Sequence, residues 1–102
     1  YFFWSDWGSA AAIERSSLDG SNRVKMVMNN TKWPSGVSLD TRQRLVYWIN
    51  GYHNVISCVD YDGKNRRLII EYSSLSSILF AFDLDISGDY VYFSEWYTNA
   101  IY

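Results

Sequence analysis

Residues 44–49, Arg-Leu-Val-Tyr-Trp-Ile, carry large apolar side chains on both faces of any strand they form. Leu45, Tyr47 and Ile49 alternate with Val46 and Trp48. A sheet with one solvated face alternates apolar with polar residues, so this run predicts a strand buried on both sides. Tyr90 and Tyr92 against Val91 and Phe93 repeat the pattern. Around the first run the sequence predicts three more strands, at 37–40, 55–60 and 67–72, bounded by Trp33-Pro34-Ser35-Gly36 and by turn residues. Asp62-Gly63 joins the last two, and Asp19-Gly20 matches it in the preceding unit. Asp-Gly is a strong hairpin signal, and a type I′ turn with positive φ at both central residues is expected at each.

The pattern recurs as a whole. Phe3-Trp4-Ser5-Asp6, Tyr47-Trp48-Ile49-Asn50 and Tyr92-Phe93-Ser94-Glu95 are one phrase of two aromatics, a small or apolar residue and a polar acceptor. Its second residue falls at 4, 48 and 93, spacings of 44 and 45 residues. A fixed period of this size marks a repeat architecture. Ile13 to Arg23 returns as Ile56 to Arg66, and the Trp33 to Asp40 segment returns in altered form as Ile78 to Asp85. Four antiparallel strands per unit, buried on both faces and repeated whole, predict an all-β propeller of four-stranded blades. A β-sandwich, the rival, does not repeat entire sheets at a fixed step. The units are a partial blade at 1–32, a complete blade at 33–77 and a partial blade at 78–102.

Composition narrows the function. Aromatic residues make up 19% of the chain and the single Pro leaves the strands uninterrupted. A net charge of −2 gives no basic footprint for nucleic acid. No run of 18 apolar residues occurs, so nothing here is expected to span or contact a membrane directly. No Gly-rich phosphate loop, Cys/His metal cluster or Ser-His-Asp arrangement stands out, so neither enzyme chemistry nor a cofactor or metal is called for. The inner strands offer only Ser38, Asp40, Asp83 and Asp85.

The phrase, with Asp6-Trp7-Gly8, Ile13-Glu14-Arg15, Leu18-Asp19-Gly20-Ser21-Asn22-Arg23 and Trp33-Pro34-Ser35-Gly36, resembles the Tyr-Trp-Thr-Asp repeat, the class B repeat of the low-density lipoprotein receptor family. The departures are Asn50 and Glu95 where the motif ends in Asp, and Leu79 and Ala81 where the corner has Pro and Gly. The resemblance implies a six-bladed propeller in an extracellular protein. Six blades at this period need about 260 residues, so the 102 residues are expected to be an excerpt of about two and a third blades, unstable alone. The resemblance also implies a part of a single-pass endocytic receptor at the cell surface and in endosomes. Such a segment binds protein or lipoprotein ligands, or docks neighbouring EGF-like or ligand-binding modules. The alternative is a secreted basement-membrane linker similar to nidogen.

Within that frame Trp4, Trp48 and Phe93 are expected between blades, with Trp33 near Trp48. Tyr47 and Tyr92 complete the motif, and Asp6, Asn50 and Glu95 are expected to bond backbone of a neighbouring blade. Cys58 is expected to be a buried thiol, with pairing to a cysteine outside the excerpt as the alternative. Asn29-Asn30-Thr31 fits the N-glycosylation sequon, on a loop between blades. His53, in the loop after the second strand, is either a plain loop residue or, as the resemblance suggests, a pH sensor for ligand release.

Overall fold

The computed structural model describes residues 1–71, 81–95 and 99–102. Strands β1 (Phe2–Asp6), β2 (Ala12–Ser16) and β3 (Val24–Val27) form the first sheet. The second contains β4 (Pro34–Asp40), β5 (Leu45–Asn50), β6 (Val55–Asp60) and β7 (Arg67–Glu71) in that order. The third contains β8 (Ala81–Ser87), β9 (Tyr90–Glu95) and β10 (Ala100–Ile101). Every pairing is antiparallel and no helix occurs among the described residues. The Ile78–Phe80 part of the third unit lies outside the described residues.

The sheets stack face to face because both faces of β5 are apolar. Val46 and Trp48, with Val59 of β6, pack on Ile13 and Val27 of the first sheet. Ile49 and Ile56 pack on Leu84 and Phe93 of the third. The second aromatic of the phrase thus faces the preceding sheet in both cases. Trp4 holds the same place on the outward face of the first sheet, half-buried beneath the Arg23 guanidinium, 5.5 Å from its ring centre. Trp33, expected beside Trp48, is instead half exposed and lies edge-on to Tyr52 at 5.3 Å.

The Asp-Gly turns differ from the expected type. Gly20 and Gly63 take φ of +85° and +83°, but Asp19 and Asp62 do not enter positive φ. Gly20 N donates to Ser17 O, and Gly63 N to Asp60 O, both at 2.9 Å, so each Gly closes a four-residue turn rather than sitting inside a two-residue one. The Asp carboxylates brace these turns. Asp19 Oδ1 accepts from the backbone N (2.9 Å) and hydroxyl (2.6 Å) of Ser21, which ties Asp19 into a local turn of its own. Asn22 and Asn65 supply a second left-handed residue and lengthen the loop.

Cys58 is a free thiol with no exposed surface, and burial pushes its pKa up. Iodoacetamide should leave it unmodified in the native protein and label it once guanidinium chloride unfolds the chain. Comparable labelling rates in the two conditions, read by peptide mass spectrometry, would contradict this burial.

Candidate functional site

Three connections gather at the seam between the first two sheets: β1–β2, β3–β4 and β5–β6. The first is shaped by Asp6, whose Oδ1 accepts from Gly8 N at 2.8 Å and leaves Trp7 61% exposed at the tip. That bond is the main reason the Asp6 carboxyl lies below its ordinary range. The second and third are joined by backbone: Gly51 N donates to Trp33 O (3.0 Å) and Tyr52 N to Lys32 O (3.3 Å). Trp33 takes a positive φ of +53° in this corner. The outcome is a run of rings in contact: Trp33 on Tyr52, Tyr52 on His53 at 5.0 Å, and Lys32 Nζ 3.8 Å from the Tyr52 ring centre.

Two side chains of the second unit, Asn50 at the end of β5 and Arg66 just before β7, pin the β3–β4 loop. Asn50, fully buried, donates through Nδ2 to Asn30 O and accepts from Lys32 N at 3.3 Å. Arg66 donates to Asn29 O and Asn30 O while its guanidinium lies 5.2 Å from the Trp48 ring centre. Burial lowers the Arg66 pKa. Between these groups lie two adjoining pockets sharing Asn30 and His53. One, of about 400 Å³, opens between Trp7, Thr31 and Trp33. The other, of about 370 Å³, opens between Arg66 and Leu68. Lys32 lines the first and Arg66 the second, and no carboxylate lines either among the described residues. On a chain of net charge −2, this groove is therefore locally positive.

The sequence motif residues are spread along the stack rather than collected at one site. Asp6 bonds its own loop, whereas Asn50 bonds the connection from the neighbouring sheet. Glu95 is buried at 3% exposure. Tyr47 is half-buried and its hydroxyl pKa is raised by burial. Tyr92 is exposed beside Tyr90, and Phe93 stacks on Tyr102 at 5.4 Å. Asn29 and His53 are exposed loop residues.

The inner-strand carboxylates are occupied locally. Asp40 accepts from Arg42 N and Gln43 N, Asp83 from Leu84 N, and Asp85 from Ile86 N and the Ser38 hydroxyl. No group of three or more His, Cys, Asp or Glu among the described residues is placed to hold a metal. Sequence reasoning passed over Lys32 and Arg66 as parts of the groove. The signal for Arg66 was present, since Arg23 and Arg66 recur at one repeat position and each covers the motif Trp of its own sheet.

Residues 1–41 match the family described as low-density lipoprotein receptor repeat class B. A vitellogenin receptor of Drosophila melanogaster is 33% identical over 100 residues, 98% of this chain and 5% of that receptor. A vitellogenin receptor of Solenopsis invicta is 29% identical over 97% of the chain and 5% of its own length. The human low-density lipoprotein receptor-related protein 5-like protein is 25% identical over 97% of this chain and 38% of its own. The chain thus spans about a twentieth of the two insect receptors. Among solved structures, the crystal structure of a nidogen/laminin complex matches 97% of this chain and 36% of its own, with TM-score 0.79 and 24% identity. That likeness shows the fold: the three sheets are blades of a β-propeller.

Proposed function

Residues 1–41 match the class B repeat of the low-density lipoprotein receptor, and from that likeness we propose that the chain is a propeller segment of a cell-surface receptor that binds and internalises protein or lipoprotein ligands. The observation that carries the reading is the seam groove. Exposed Trp7, Trp33 and Tyr52 on loops pinned to a rigid scaffold are the residue types that dominate protein recognition. Two of the relatives are named as receptors for vitellogenin, and a large protein of that kind is the ligand proposed here.

The groove also suits an acid response. Asp6 and Asp19 lie below the ordinary carboxylate value of 3.8 because of the bonds they accept from Gly8 and Ser21. A depressed carboxylate contributes stability that is present above 3.8 and is lost only as pH falls further. Both turns therefore hold at endosomal pH. Histidine is the side chain whose ordinary titration lies between pH 7 and 5. His53 lines both pockets, with Arg66 in one and Lys32 in the other, and added positive charge there favours docking of an acidic neighbouring module in place of ligand.

The test is surface plasmon resonance of the ectodomain on immobilised vitellogenin at pH 7 and pH 5. Replacing Trp7 and Trp33 together by Ala should weaken binding at pH 7 by about tenfold or more. His53→Ala should reduce the loss of binding at pH 5. Unchanged affinity in the tryptophan variant would remove the groove from recognition, and an identical pH dependence would remove His53. A parent polypeptide without a membrane span would defeat the receptor reading and favour the secreted matrix linker.

A further inference from the structure

Seven asparagines stand on or beside the connections of this chain, and one of them combines a sequon with a free amide. Asn22, Asn30, Asn50, Asn54, Asn65 and Asn99 are followed two residues later by Val, Lys, Tyr, Ile, Arg and Ile, whereas Asn29 is followed by Thr31. Five of the other six adopt positive φ and help build turns, and the sixth, Asn50, is buried and bonded to the β3–β4 loop. Asn29 does neither. Its backbone carbonyl accepts from Arg66 and, at 3.4 Å, from the Thr31 hydroxyl, but its side-chain amide makes no hydrogen bond among the described residues. Asn29 is exposed, as are Met28 and Asn30 on either side of it.

We propose that Asn29 carries an N-linked oligosaccharide, held at the edge of the seam groove. The inference rests on the receptor reading for one requirement, passage through the secretory pathway, where a polyprenyl-pyrophosphate-linked oligosaccharide is the donor. In the transfer, Asn29 Nδ2 forms a bond to C1 of the reducing-end sugar. The bond from C1 to the pyrophosphate oxygen breaks, the polyprenyl pyrophosphate leaves, and the amide proton passes to the transferase. Thr31 supplies the hydroxyl the sequon requires while the chain is still unfolded. Its later burial at 9% exposure does not oppose the product, because the modified atom belongs to Asn29.

The fold fixes where the sugar stands. Arg66 and Asn50 hold the carbonyls of Asn29 and Asn30 and the N–H of Lys32, so the attachment point moves little relative to the blades. Asn30 lines both pockets and Thr31 lines the one beside Trp7 and Trp33. An oligosaccharide on the preceding residue therefore stands at the edge of the groove, on the β3–β4 loop.

The experiment expresses the parent polypeptide in secretory cells, isolates it from the cell surface by biotinylation, and maps glycopeptides before and after peptide-N-glycosidase treatment. The expected result is a glycan on the peptide containing Asn29, lost in Asn29→Gln and Thr31→Ala and retained in Thr31→Ser. Asn29→Gln changes an exposed side chain with no bonds, so it should reach the surface as the wild type does. A surface polypeptide whose Asn29 peptide is wholly unmodified overturns the glycan and leaves the receptor reading intact. A polypeptide that never enters the secretory pathway overturns both.

Discussion

Trp48→Ala is expected to destabilise the folded protein by about 3–5 kcal/mol and, on the proposed receptor reading, to keep it from reaching the cell surface. Trp48 has no exposed surface and fills the seam with Ile13, Val27, Val46 and Val59. Truncation leaves a cavity between two sheets that touch mainly through such side chains, and it removes the ring under Arg66. Arg66 would then hold the β3–β4 loop without its platform. Trp48→Phe is expected to be milder, since Phe93 fills the equivalent place in the third sheet. The indole Nε1 of Trp48 is also buried without a hydrogen-bond partner among the described residues, so the phenyl ring loses volume but no bond. Surface biotinylation and thermal unfolding of the three proteins check this. Wild-type surface levels and melting temperature for Trp48→Ala would show that the seam does not depend on this ring.

Gly36→Ala is the second large effect, expected to cost about 1–3 kcal/mol through overpacking. A Cβ at Gly36 would lie 2.6 Å from Asp83 Oδ1 and 2.8 Å from both Asp83 Cα and Leu84 N. The carboxylate oxygen has room to swing away, but the two backbone atoms move only if β8 moves, and with it the packing of Leu84 on Ile49. Gly36 is therefore required by the approach of one inner strand to the next, since its φ is not in the left-handed region. Gly20 is the contrasting case: nothing lies within 4 Å of an added Cβ, but φ is +85°. Gly20→Ala should cost roughly 1 kcal/mol from backbone conformation alone. The two variants together separate crowding from conformation. A melting temperature for Gly36→Ala equal to wild type would mean that the inner strands are not in contact at this point.

The repeat, the strands and the stacking were legible in the amino-acid order, because each is a property of spacing. A 44-residue step, alternating faces both apolar, and Asp-Gly between strands are local signals, and the stacked sheets bury Val46 with Trp48 on one side and Ile49 on the other. The amino-acid order also marked Asn29 and His53 as loop residues, since sequon and loop composition are local as well. Features that depend on distance between units were not legible there, because they arise only when the units pack. Trp33 reads as a neighbour of Trp48, yet its positive φ and the backbone bonds that it and Lys32 make to the β5–β6 connection go with a ring turned outward onto Tyr52. Asp6 and Asn50 occupy one motif position but bond different things. The side chain of Asp6 meets its own loop first, whereas that of Asn50 meets the connection from the preceding sheet. The positive groove is invisible in a chain of net charge −2, because Lys32 and Arg66 are 34 positions apart in sequence and converge only when two blades close the seam.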